Sequence, residues 1–357
     1  MGPAMSLADD IDEAYEALYA DRLPAAREAL ARAQRADAQH PEVRLLAIEV
    51  LEAGDEAEEA VVAAEQAVAA LPKSMLLRLK LATLLLDVYD DAPGARPHLE
   101  ALAARLEKGE EPDVGGDDAD ATRDFAVEVW LTLADVRGSD HDPKGALAAA
   151  EHAAKLAPDD AAARVAVGSA RFDLCELDAA EKHVAQAIDR DPRCADAFWL
   201  RGRIQTVKGD HAAADKAFAR AAQIDPVRFA VPFRVDEDAF ATLMEESLEE
   251  LPLQVRDYLK NIAVVVEDVP ELSALAKNDP PLSPGSLGLF EGTPPALAPG
   301  DDPWAHFPTR ITLFRRNIEI SCVDQDELRD LVSSTLLHEV GHYLGLDEED
   351  LDERGLG

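Results

Sequence analysis

Towards the C-terminal end of the sequence, His338, Glu339 and His342 form the pattern H-E-x-x-H, followed by Gly345 and the acidic residues Asp347, Glu348 and Asp350. On an α-helix, residues four apart lie on one face about a turn from each other, so both imidazoles can reach a single metal ion. The glutamate after the first histidine is then close enough to act as general base on a water held by that ion. A catalytic zinc takes three protein ligands and keeps a fourth position open. His338 and His342 supply two. The third is expected after the glycine turn, where counting along the pattern reaches Glu348, with Asp347 and Asp350 near enough to compete for the role. The chemistry is metal-assisted hydrolysis, with Glu339 taking a proton from water and returning it to the leaving group. No Tyr or His follows Glu348 to stabilise an oxyanion, which leaves Tyr343, His306, Arg315 and Arg316 as candidates.

The elements that must hold this pair can be read upstream. Asp324-Gln325-Asp326-Glu327 has the form of a capping box, which predicts a helix start at Asp324. Val332, Leu336, Val340 and Leu344 make an apolar stripe suited to a sheet, with His338 and His342 roughly opposite, beside Leu331 and Thr335 and facing a cleft. A helix is expected over Asp236 to Glu250 and a short one from Pro252 to Leu259. The β-branched run Asn261 to Glu267 predicts a buried strand. Leu287 to Glu291 and Arg310 to Arg316 read as two more strands, with Asn317 to Val323 extending or reversing the last. Pro-rich loops span Asp279 to Gly285 and Thr293 to Pro303. Leu287 to Glu291 is the candidate edge on which an extended substrate would pair.

From about Val235 onward these stretches resemble the small bacterial zincin-like metallopeptidase domain, or minimal zincin. The resemblance is carried by Leu251-Pro252, Ile262 to Asp268, Gly288 to Gly292, Ile311 to Glu319 and Thr335 to Gly345. It implies a small α+β fold, a Zn2+ cofactor and peptide-bond hydrolysis. That family usually carries aspartate in the third-ligand slot, where this sequence has Glu348.

The first two-thirds of the chain has a different texture. Pro158, Pro192 and Pro226 are spaced by 34 residues, and aligning on them superposes Gly168 on Gly202 and Ala146 on Ala180 and Ala214. Small residues are needed where paired helices approach closely, and the proline ends one hairpin before the next begins. The pattern resembles the tetratricopeptide repeat, most closely over Ala195 to Pro226, with three good copies from Val127 to Arg228. Ile11 to Ala36, Pro41 to Leu71 and Lys73 to Leu106 read as degenerate repeats, since Pro41 and Pro72 are 31 apart. The resemblance implies a protein- or peptide-binding surface. Arg164, Arg171, Arg201 and Arg203 fall on first helices, but their spacing does not establish a carboxylate clamp.

The expected organisation is therefore multidomain: an all-α helical-hairpin solenoid followed by a small α+β domain. Its parts are degenerate hairpins over 1–106, an acidic Gly/Pro loop over 107–121, tetratricopeptide-like repeats over 122–228 and the zincin-like domain over 229–357. A formal charge of −37 makes nucleic acid and anionic membranes poor partners. Three cysteines without a C-x-x-C pair suggest reduced thiols, and no secretory leader or membrane-spanning run is expected. A cytoplasmic, bacterial protein follows as the expectation. Two functions fit: a zinc peptidase whose repeats bind or position a protein target, or a repeat-based interaction scaffold whose zincin fold binds metal or peptide without cleaving.

Overall fold

A computed structural model describes residues 6–114, 118–251, 253, 256, 259, 262–292, 310–344 and 346. The chain divides into two compact units, Met1–Ala170 and Arg171–Gly357. Among the described residues, no helix is long and apolar enough to cross a membrane.

The first unit is built of antiparallel helical hairpins: α1 (Leu7–Tyr19) with α2 (Leu23–Asp37), α3 (Pro41–Glu52) with α4 (Ala57–Ala70), α5 (Met75–Tyr89) with α6 (Ala92–Glu107), and α7 (Ala119–Ser139) with α8 (Pro143–Leu156). α9 (Ala161–Asp173) begins in this unit and ends in the second, which continues with α10 (Leu177–Arg190), α11 (Ala195–Val207) and α12 (His211–Ile224). The turn within each hairpin carries one residue in the left-handed region: Asp21, Asp55, Asp90, His141, Cys175 and Gly209. Their spacings are 34, 35, 51, 34 and 34 residues, so the upstream hairpins keep the period that their prolines do not show. The one long interval contains the acidic segment 107–121. That segment is tied to the array, because the Asp113 carboxylate accepts from Met75 N at 2.7 Å and Leu76 N at 3.1 Å, capping α5.

Small residues set how closely the paired helices approach. An ideal Cβ on Gly202 would lie 2.4 Å from Phe218 Cε1, so glycine lets α11 meet the fully buried ring on α12.

After α12 the second unit continues with α13 (Glu237–Glu250), β1 (Ala263–Glu267), α14 (Leu272–Leu275), β2 (Gly288–Glu291), β3 (Arg310–Phe314), α15 (Arg315–Ile320) and α16 (Gln325–Leu344). The sheet order is β1-β3-β2, with β1 parallel and β2 antiparallel to β3. Among the described residues β2 is therefore an edge, paired with β3 through Leu289 opposite Thr312. Phe240, Leu243, Ile311, Leu313, Ile318, Leu328, Val332, Leu336 and Val340 form the core between the sheet and the helices α13 and α16.

Three expectations change. The strand over 263–267 is not buried: Ala263 is exposed and Val264 to Glu267 are half-buried. Asn317 to Val323 does not extend the strand: residues 315–320 turn into α15, because Arg315, Ile318 and Glu319 are buried at helical spacing. Leu344 does not join the apolar stripe and is 39% exposed, since the core ends at Val340. The helix expected from Pro252 begins outside the described residues, as does the loop from Thr293 to Pro303.

Candidate metal centre

α16 starts where Asp324 Oδ1 accepts from Asp326 N at 3.0 Å and Glu327 N at 2.9 Å, while Glu327 reaches back to Val323 N at 2.9 Å. Val332, Leu336 and Val340 anchor one face of the helix in the core, which fixes the direction of the opposite face. There His338 and His342 are half-buried, and their Nε2 atoms lie 3.0 Å apart with the rings nearly perpendicular. Two imidazole nitrogens this close require a proton or a cation between their lone pairs.

The helix end decides what His342 presents. Leu346 N returns to Gly341 O at 3.1 Å, and this turn brings Leu346 O to 3.2 Å from His342 Nδ1. A carbonyl only accepts, so Nδ1 carries the proton, and in the neutral ring Nε2 keeps its lone pair. Such a bond from the far ring nitrogen is the usual support of a metal-binding histidine. Two nitrogens at ~2.0–2.1 Å from a tetrahedral zinc would be about 3.3 Å apart, close to the observed separation. The donor set thus fits zinc. Among the described residues, no three His, Cys, Asp or Glu side chains are grouped to hold a metal. Glu348, Asp347 and Asp350, the expected sources of a third ligand, lie outside the described residues.

Glu339 is buried between α16 and the start of β2. An ideal Cβ on Gly288 would stand 2.7 Å from Glu339 Oε1, 3.0 Å from its Cγ and 2.9 Å from Thr335 Cγ2. The first residue of the edge strand therefore has no room for a side chain. Gly288 was not among the residues singled out for chemistry, although glycine inside a strand is a signal of close approach.

The sequence model of the zincin-like metallopeptidase family matches residues 259–357, and that of the tetratricopeptide repeat matches 11–74 and 168–228. The chain carries tetratricopeptide repeats followed by a zincin-like metallopeptidase domain. No curated protein matches it. Among solved structures, PilW, a widely conserved type IV pilus biogenesis factor, is 14% identical with a TM-score of 0.51, over 66% of this chain and 98% of its own. That likeness is one of helical fold. PilF of Pseudomonas aeruginosa is 14% identical with a TM-score of 0.49, over 62% of this chain and 92% of its own. YrrB, described as a repeat protein with an unusual peptide-binding site, is 21% identical with a TM-score of 0.41, over 56% and 93%.

The remaining candidates of the zincin-like domain are placed as follows. Arg315 is buried and donates from Nε to Asp268 at 3.0 Å and from Nη1 to Val235 O at 3.1 Å. Arg316 pairs with the fully buried Glu319 at 3.2 Å, and so does Arg234 at 3.0 Å. The two arginine candidates for the oxyanion are thus committed to an internal ion network. The side chain of Tyr343 and the whole of His306 lie outside the described residues. In the repeats, Arg164 bonds Pro158 O, Arg171 pairs with Glu176, Arg201 sits over Phe198 and Arg203 over Phe172. Each of these contacts has a different partner.

Proposed function

We propose that the protein is a zinc-dependent peptidase over 229–357 whose hairpin repeats, over 1–106 and 122–228, bind or position a protein target. The observation that carries this reading is the convergence of the two Nε2 atoms at 3.0 Å beside the buried carboxylate of Glu339. His338, His342 and Glu348 are the residues that would hold the ion. When bound, zinc supplies a Lewis acid that lowers the pKa of a water ligand to about 7 and polarises a carbonyl oxygen. Glu339 takes the proton from the attacking water and passes it to the leaving amine. β2, last in the sheet order among the described residues, is the strand beside which an extended substrate would lie, running past Glu339. A cytoplasmic location for this activity is part of the proposal.

The test is a library of denatured proteins incubated with the zinc-loaded full chain, the new termini being read by mass spectrometry. Cleavage by wild type and its loss in Glu339→Ala support the peptidase. A wild-type chain that holds zinc and cleaves nothing makes the domain a binding module.

A further inference from the structure

The Pro-rich stretch from Asp279 to Gly285 is held between the last repeats and α15. Cys175 Sγ contacts Leu282 O at 3.6 Å, and Ser283 Oγ donates to Asp173 Oδ1 at 2.7 Å. An ideal Cβ on Gly285 would lie 2.5 Å from Arg203 Nη2, so the guanidinium covers the bare backbone there. Arg203 is itself stacked on Phe172, its Cζ 4.5 Å from the ring centroid. From the opposite side, Asn317 Nδ2 donates to Pro284 O at 2.9 Å and to Ser286 O at 2.7 Å. A cavity of about 220 Å3 remains beside the contact, lined in part by Trp199, Ile320 and Ser321.

The repeat residues in this contact come from the end of α9, the turn after it and α11, both helices being the first of their hairpins. They supply what a solenoid groove uses on an extended peptide: a carboxylate for a hydroxyl, an aromatic platform and a planar cation over glycine. Two residues after Gly285 the segment enters the sheet. Phe314 N donates to Leu287 O at 2.8 Å, and Gly288 then abuts Glu339.

We propose that residues 282–286 are an intramolecular ligand of the groove formed by α9 and α11, and that this docking holds the β2 edge in place against Glu339. The last repeats are thereby a positioning part of the hydrolytic domain rather than a free targeting surface. An external peptide presenting the same hydroxyl, proline and glycine would compete for the groove and release the edge strand. The docking stands on its own contacts; only its consequence for hydrolysis rests on the peptidase reading.

Hydrogen exchange on the full-length chain tests it without metal or activity. Arg203→Ala is expected to accelerate exchange over 282–291 at least tenfold and leave 328–336 of α16 unchanged. Gly285→Val, on the other side of the contact, should reproduce that pattern. A labelled peptide of residues 278–288 should bind the Gly285→Val chain at least tenfold more tightly than wild type, and Arg203→Ala should abolish that binding. Unchanged exchange over 282–291 in Arg203→Ala overturns the proposal, as does equal acceleration over 328–336. Equal peptide binding by wild type and Gly285→Val also overturns it. Should Gly285→Val not fold, the Arg203→Ala exchange pattern alone decides.

Discussion

Gly288 and Glu339 meet so closely that an ideal Cβ on the glycine would stand 2.7 Å from the carboxylate oxygen. The edge strand and the proposed general base are thus held at a distance only glycine permits. Gly288→Ala must push Glu339 or β2 aside. Overpacking of this kind costs about 1–3 kcal/mol. A displacement near 1 Å lowers turnover by about a hundredfold. Zinc content should be unchanged, because neither histidine is touched. Thermal unfolding, steady-state cleavage and metal analysis on one preparation separate these effects.

Glu319 is fully buried and faces Arg234 and Arg316, while Val235 N donates to its Oε1 at 3.2 Å. Glu319→Ala removes the fully buried anion that Arg234 and Arg316 share, leaving Arg234 only the carboxylate of Asp215 among the described residues; breaking a buried pair costs about 3–5 kcal/mol. Glu319→Gln keeps an acceptor for Val235 N and should cost less. Urea unfolding of the two variants gives the order.

Burial, with Glu327 and Asp324 adding to it, pushes the Cys322 thiol up to about 11. At pH 8 roughly one thiol in a thousand is then ionised, and the thiolate is the reactive form. Iodoacetamide should modify Cys322 only after denaturation, as peptide mapping would show. The unfolded chain releases this proton near pH ~8.5 and the folded chain only near 11. The contribution to stability is therefore intact below ~8.5 and falls as pH rises towards 11.

Much of this architecture was legible from residue spacing. Prolines and alanines at 34-residue intervals mark the later hairpins, and the Asp324 cap with the Val332, Leu336, Val340 stripe orients α16. The regularity of the earlier hairpins was hidden because Asp21, Asp55 and Asp90 occupy the left-handed turn position that Gly209 makes recognisable. α15 was misread as strand because Arg315 and Glu319 look like surface residues until their buried partners, Asp268 and Arg234, are brought from far along the chain. Ser283 and Gly285 looked like an ordinary turn for the same reason. Their partners Asp173 and Arg203 lie far upstream in two separate hairpins, and no local pattern announces them.

The claim on which the catalytic reading and a metal-binding scaffold both depend is a metal held by His338 and His342. Zinc bound per chain, measured after dialysis against a weak chelator, tests it most directly. One zinc is expected in wild type and in Glu339→Ala, none in His338→Ala or His342→Ala, and a marked loss in Glu348→Ala. Full occupancy in Glu348→Ala would pass the third position to Asp347 or Asp350. Zinc retained at wild-type stoichiometry when both histidines are replaced would contradict the account.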